Sequence, residues 1–267
     1  MNDNDTTPTP TAPTTTDDRW VQWARRWDAQ QSLYIEQRER RYEVMFSFLD
    51  HFVPGDIRVL DLACGPGAIS ARLLRQRQGS TAVALDVDPV LLELGKRAYG
   101  YFDGRLRWVE ADLRIDDWHT ALGGEPFDAV LSSTATHWLA APALAAMYRR
   151  LALLLRPGGV VINGDQLKYA AHQPIIQQAV RAEDARRQGA AASSGAETWD
   201  DWWDALRLEP ELAAAFAVRD HLFPEHTADE LPTPGLAFHE QAVLAAGFAD
   251  VGVVWQDLEE RVLIAVR

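Results

Sequence analysis

The sequence predicts an α/β fold built on a doubly wound, mostly parallel sheet, and three observations carry that prediction. Short apolar segments alternate with amphipathic ones from about 57 to 164, the pattern of βαβ units. The first of these segments, "VLDLACGPGAIS" at Val59–Ser70, reads as a buried strand breaking into a glycine turn and then a helix. The chain closes on two apolar runs, "DVGVVWQDL" and "RVLIAVR", joined only through Glu259 and Glu260. A parallel pair needs a crossover of about a dozen residues, so these two must form an antiparallel hairpin.

Taken in order, residues 1–18 are rich in threonine, proline and aspartate and offer almost nothing to bury. Such a stretch cannot offset the entropy of ordering and is expected to be a disordered tail. Residues 19–52 read as two helices with a break near Asp28–Ser32, since Trp20, Trp23 and Trp27 recur at helical spacing, as do Val44, Phe48 and Phe52. Pro54-Gly55 ends this region and the core begins, expected over 53–165. Its strands are expected at 57–62, 81–86, 105–110, 127–132 and 159–164, with helices at 67–77, 89–99, 115–122 and 141–155. "LLRPGG" at Leu154–Gly159 fits a helix end and a turn into the fifth strand. From 166 to 235 the alternation fails and helices separated by prolines and "GAAASSGAE" form an insertion. Residues 236–267 then complete the core with one helix and the hairpin.

Composition narrows the function. A hydrophobic content of 47% suffices for a packed core, and no apolar run reaches the roughly 18 residues of a membrane span. No secretory leader is evident, and a single cysteine, Cys64, leaves no internal disulfide framework, so a cytoplasmic setting is expected. A net charge of −13 argues against nucleic acid as a partner, because phosphate backbones demand clustered positive charge.

The glycine turn decides the ligand class. A dinucleotide turn needs G-x-G-x-x-G, and here Ser70 stands where the third glycine would be; a P-loop needs a lysine that is absent. Asp61 ends the strand ahead of Gly65 and Gly67, where a carboxylate repels a pyrophosphate but attracts a cationic amino group. Asp86, ending the second strand in "VALDVDP", can accept from ribose hydroxyls, in charge-assisted bonds of roughly 1.5–3 kcal/mol each. Asp88 is the better cap for the helix that begins at Pro89. Asp112, after the third strand in "EADL", can accept from an adenine amino group or serve only as a turn residue. Adenine, ribose and a cationic amino acid together describe S-adenosylmethionine.

With these motifs the chain resembles the class I S-adenosylmethionine-dependent methyltransferases, and "FDAVLSSTATHWL" and "LLRPGGVVI" resemble that family's fourth-strand and fifth-strand motifs. The resemblance spans about 55–165. It implies a Rossmann-like seven-stranded sheet of order 3-2-1-4-5-7-6 with a reversed last strand. It implies a donor site of Asp61, Ala63, Cys64, Gly65, Gly67, Asp86, Val87, Asp112, Leu113 and Ser132, with Cys64 packing beside the ligand.

The acceptor side is less determined. His137, with a near-neutral pKa, suits a general base or a hydrogen-bonded helix-start histidine. Ser133 and Trp138 either line the acceptor or merely turn and pack. Asp165, after the fifth strand, faces the same cleft or serves the turn. "ETWDDWWDALRLEPEL" opens on a capping box at Thr198 and Asp201. Trp199, Trp203 and Leu206 then share one face with Trp202 off it, either as a lid over the acceptor or as helix packing. Tyr34 and Arg38 on the N-terminal helices are within reach of the ligand. Serines after the fourth strand make a metal an unexpected partner. The reading is metal-independent methyl transfer to a small-molecule acceptor by a monomer or homodimer. Its rivals are a different use of the same donor, such as cyclisation releasing methylthioadenosine, and a non-catalytic donor-binding protein.

Overall fold

The computed structural model describes residues 18–35, 37–192, 195, 197–223 and 234–267. The expected N-terminal tail lies outside the described residues except for Asp18, which opens a helix. Two helices come first, α1 (Asp18–Tyr34) and α2 (Arg38–Phe52). The alternating core follows as β1 (Arg58–Leu62), α3 (Ala68–Gln76), β2 (Thr81–Asp86), α4 (Pro89–Tyr99), β3 (Leu106–Glu110) and β4 (Phe127–Ser133). It continues through α5 (Ala141–Leu154) to β5 (Leu155–Gln166). The insertion holds α6 (Pro174–Ala192), α7 (Trp199–Leu206) and α8 (Ala213–Leu222), and the chain closes with α9 (Leu236–Ala245), β6 (Asp250–Asp257) and β7 (Glu260–Val266).

The seven strands form one sheet in the order β3-β2-β1-β4-β5-β7-β6. β1 to β5 pair in parallel, while β7 is antiparallel to both β5 and β6. This is the order implied by the resemblance, and the reversed last strand is the hairpin that the short Glu259-Glu260 link requires.

Three expectations differ in detail. The break in the N-terminal helices falls at 35–37 and not at Asp28–Ser32, because Ser32 donates its hydroxyl to the Asp28 carbonyl and is accommodated within the helix. Between β3 and β4 only a 3-10 turn forms, at Trp118–Leu122. Arg107 donates to the Ala121 and Leu122 carbonyls there and ends the turn ahead of Gly123. "RPGG" lies inside β5 as an irregularity: pairing with β4 jumps from Phe127–Leu155 to Ala129–Val160, and Gly158 takes φ +75°.

Strand alternation sends residues to two faces. Val59, Leu131, Ile162 and Ile264 pack on Tyr42, Met45, Leu49, Ile69 and Leu73 of α2 and α3. Leu60, Leu62, Val130 and Val161 pack on Leu144, Tyr148, Leu151 and Val243 of α5 and α9. A separate aromatic cluster joins α1, α4, α7 and α8 around Trp20, Trp23, Trp27, Trp202, Trp203 and Phe216. The ends of β1, β2, β4 and β5, each followed by a loop, converge between these layers, where doubly wound sheets hold ligands.

Candidate active site

The donor end is built on three strand ends. Asp61 lies on β1 with its side chain towards α3, where its Oδ2 accepts from the Ser70 N–H (2.9 Å) and hydroxyl (2.7 Å). Its Oδ1 is buried and has no partner. Burial pushes the Asp61 pKa up to about 7, opposed by the Ser70 bonds and aided by the nearby Asp86. Gly67, at φ +84°, starts α3, and a Cβ on it would sit 2.5 Å from the Trp108 ring, so only glycine fits. The Gly65 N–H donates to Asp86 Oδ2 at 2.7 Å, and the Asp88 N–H donates to Asp86 Oδ1 at 2.9 Å. Burial raises the Asp86 pKa to about 6. Asp88, as the sequence indicates, caps α4 through Val90 and Leu91.

Ala63 takes φ +52°, and the Cys64 N–H donates to the Leu85 carbonyl, tying the turn to β2. Burial, with Asp61 and Asp86 nearby, pushes the Cys64 thiol well above its usual pKa, which disfavours the thiolate. Val87 and Leu113 are half-buried on the neighbouring loops. Asp112 makes the turn contact that the sequence offered beside adenine binding: its Oδ1 accepts from the Arg114 N–H at 2.9 Å, and both oxygens receive bonds from the Arg114 guanidinium at 2.7–3.0 Å. Burial works against the charge of Asp112, but those bonds outweigh it and lower the pKa. Ser132 is buried and donates its hydroxyl to the Leu62 carbonyl at 2.9 Å, stitching β4 to β1.

These residues fit a donor carrying an α-amino group. An unpartnered carboxylate oxygen held out of water is the acceptor that an ammonium requires, and each Asp86 oxygen keeps a lone pair beyond its single N–H bond. Asp61 and the turn Cys64–Gly67 would hold the amino acid portion, and Asp86 the ribose.

The acceptor end follows β4 and β5. Thr134 sits at φ +56°, a strained conformation for a β-branched residue, with its N–H bound to the Gly164 carbonyl. The 3-10 turn Thr136–Trp138 comes next. It brings His137 onto Asp165, with Nδ1 2.6 Å from Oδ1. Asp165 is fully buried, and its Oδ2 also accepts from the Thr136 hydroxyl (2.6 Å) and the His137 N–H (3.1 Å). Burial alone would protonate Asp165, but the charge and bonds of His137 and Thr136 hold its pKa far below the carboxylate range. With a proton on Nδ1 donated to Asp165, a neutral His137 presents Nε2 as its remaining acceptor. Burial acts to lower the His137 pKa, and the Asp165 charge and hydrogen bond overcome it and raise it. Trp138 is 54% exposed, its ring 5.1 Å from that of His137.

A cavity of about 520 Å³ lies between the end of α1, α6 and the β6–β7 turn, with Tyr34, Gln37, Lys168, Arg181 and Glu260 in its walls; His137 and Asp165 do not line it. Lys168 and Glu260 are both near enough to act on the charge of His137. The Tyr34 hydroxyl accepts from the Trp199 N–H at 3.2 Å, linking α1 to α7.

Other expected acceptor residues stand elsewhere. Arg38 is buried in a 2.7 Å ion pair with Asp28 and lies over the Tyr42 ring, so its charge is spent inside the helical layer. Trp199 and Trp203 pack around Trp27, with centroids 5.4 and 6.1 Å from it. Trp202, which sequence spacing set off the common face, is fully buried, because α1 and α4 enclose α7 from two sides. This cluster covers the donor end: Trp27 reaches to 4.0 Å from the position of a Cβ on Gly65, and Arg219 of α8 pairs with Asp88 at 2.7 Å.

The sequence reading missed Arg41. It is fully buried and donates to Glu260 (2.5 Å), to Ser133 (2.9 Å) and to the Thr134 hydroxyl. Its signal was an arginine on the same stripe of α2 as Tyr42, Met45 and Leu49.

With this geometry in view, residues 59–159 match the methyltransferase domain family. The chain carries a class I S-adenosylmethionine-dependent methyltransferase domain. An uncharacterized methyltransferase of Mycobacterium tuberculosis is 36% identical over 116 residues, 43% of this chain and 54% of that one. A trans-aconitate 2-methyltransferase of Methylobacterium nodulans is 30% identical over 173 residues, 63% of this chain and 61% of that protein. The chain thus spans about half the length of the first curated relatives it matches, 54% in each. An O-methyltransferase family protein from Burkholderia thailandensis shares the fold, with a TM-score of 0.56 at 18% identity over 93% of this chain and 61% of that one. Among the described residues no helix is long and apolar enough to cross a membrane.

Proposed function

We propose that this protein uses S-adenosylmethionine to methylate an oxygen of a small-molecule acceptor, without a metal, and that His137 is the general base. The observation that carries the reading is the His137–Asp165 pair, 2.6 Å apart, at the ends of the two strands next to the donor turn. Relatives named as trans-aconitate 2-methyltransferase, malonyl-[acyl-carrier protein] O-methyltransferase and ubiquinone biosynthesis O-methyltransferase support an oxygen acceptor.

When bound, the donor supplies an electrophilic methyl group on a sulfonium. Everything else falls to this chain. Asp61 and the glycine turn fix the amino acid portion, and Asp86 the ribose. The tryptophan cluster keeps water from that end. His137 Nε2 takes the acceptor proton while Asp165, held by Thr136, stabilises the imidazolium. Positioning of this kind contributes on the order of 7–11 kcal/mol where alignment is complete, and a placed base adds roughly 10²–10⁴-fold. Arg41, tying α2 to Ser133, Thr134 and Glu260, holds the loop that carries the base.

The test follows the donor by mass spectrometry with pure protein, first alone and then with a panel of hydroxylated and carboxylated small molecules. S-adenosylhomocysteine formed only with an acceptor supports the reading. Methylthioadenosine formed without one would replace it by cyclisation or cleavage of the donor. His137→Asn is expected to lower kcat by about 10²–10⁴-fold with donor affinity unchanged. Because the base must be neutral, the wild-type rate should rise with pH through a pKa above 6.5. That rise should be absent from the residual activity of the variant.

A further inference from the structure

Arg261 lies on β7 directly opposite Asp165 of β5 in the antiparallel pair. Residues opposite each other across such a pair project to the same face of the sheet, so Arg261 emerges on the face of the His137–Asp165 pair, one strand further out. It is 2% exposed, and its Nε and Nη1 are buried with no hydrogen-bond partner.

A guanidinium stays charged at any working pH, and a buried charge is normally paired. The obvious counter-charge is already committed. Asp165 accepts at Oδ1 from His137 and from the Gln166 N–H, and at Oδ2 from the Thr136 hydroxyl and the His137 N–H. The other neighbouring carboxylates are also engaged: Glu260 is turned to the opposite face by Arg41, and Glu259 accepts from the Tyr169 N–H. What Arg261 does touch is an aromatic face, the Tyr169 ring, with its guanidinium carbon 4.4 Å from the centroid. Tyr169 is half-buried and follows Lys168, which lines the 520 Å³ cavity together with Glu259 and Glu260. Arg261 therefore stands on the face of the His137–Asp165 pair, against the Tyr169 ring, as a fixed positive charge with no hydrogen-bonded anion among the described residues.

We propose that Arg261 is a specificity-determining residue that takes a carboxylate of the acceptor, with the Tyr169 ring, anchored by Glu259 and Gln256, covering one face of its guanidinium. This rests on reading the His137 end as the acceptor site. The substrate class is then a small molecule with two functions: a carboxylate held at Arg261 and an oxygen presented to His137 Nε2. The unpartnered Nε and Nη1 supply the donors, and the Tyr169 face keeps water from one side of the guanidinium, which strengthens a charge-assisted bond to an incoming carboxylate. A neutral acceptor of the same size would leave the guanidinium unpaired and bind poorly.

The test needs no turnover. Thermal unfolding of the full chain is followed with acetate, malonate or citrate, and with inorganic phosphate as the competing anion, all at matched ionic strength. Wild type should gain several degrees from at least one carboxylate at tens of millimolar and less from phosphate. Arg261→Met should lose that gain, and Arg261→Lys should keep part of it. Without ligand, Arg261→Met should unfold at a temperature equal to or above that of wild type, because it removes an unpaired buried charge. The assignment is overturned if no carboxylate shifts the wild type, if phosphate shifts it as much, or if Arg261→Met responds as wild type does. It is also overturned if Arg261→Met unfolds earlier without ligand, which would make Arg261 a structural residue. A protein that binds carboxylates through Arg261 but yields no S-adenosylhomocysteine would retain this site and lose the methyl-transfer reading.

Discussion

The two parts of the insertion do opposite work. α7 and α8 bring Trp202, Trp203, Leu206 and Phe216 into an aromatic cluster with α1 and α4, and Trp202 is fully enclosed. α6 carries charge where α7 and α8 carry aromatics: Glu183 pairs with Arg186 and Arg187 within the helix, and Arg187 reaches Asp257 of β6 at 3.0 Å. The first part packs with Trp27, which reaches the glycine turn, and the second lines the 520 Å³ cavity. A donor of one fixed structure suits a dry, close-packed cover, where aromatic pairs add about 0.5–1.5 kcal/mol beyond their buried area. A wall of half-exposed ion pairs, worth roughly 0–1 kcal/mol each, can rearrange around a substrate at little cost.

The contrast can be broken at its rigid side first. Trp202→Ala should cost about 3–5 kcal/mol of stability in urea unfolding, as expected for emptying an aromatic site in a closed core. A cost under about 1 kcal/mol would mean that the cluster is no more of a core than α6.

Donor binding offers a finer test. The carboxylate of Asp61 must ionise to receive an ammonium, and its pKa is raised to about 7. Below that value affinity should improve with rising pH, by up to about tenfold or 1.4 kcal/mol per unit, and then level off. Calorimetric titration from pH 5.5 to 8.5 reads this slope, and Asp61→Asn should flatten it. Trp27→Ala, by admitting water beside Gly65, should move the plateau to lower pH. An unchanged plateau would show that the cluster does not keep the donor end dry.

The smallest effect belongs to α6. Arg187→Ala removes ion pairs to Glu183 and Asp257, yet should change stability by less than about 1 kcal/mol while raising the KM for the acceptor. A loss of several kcal/mol would make α6 as structural as α7.

The differing legibility of the two ends has the same origin. The donor end is local chemistry. Asp61, Gly65 and Gly67 lie within one strand–turn–helix, and Asp86 with its capping neighbour Asp88 lies at the next strand end. The acceptor end is assembled from distant segments. Arg41 of α2 meets Glu260 of β7 across the sheet, and no periodicity in either segment announces the other. Arg38 and Arg41 are three apart on one stripe, yet one is spent on Asp28 and the other on the β4 loop.

The sequence by itself determined the alternation of strands and helices, the hairpin that reverses the last strand, and the acids and glycines of the donor turn. These follow from side-chain periodicity, turn stereochemistry and link length, all of which act over a few residues. Tertiary structure alone decided that His137 is bound to Asp165, that Trp202 is the centre of the aromatic cluster, and that Arg261 has no hydrogen-bonded counter-charge among the described residues. Each of those depends on which strands became neighbours and which face a side chain took, and in a buried site that placement determines whether a charge is paired or left waiting for a ligand.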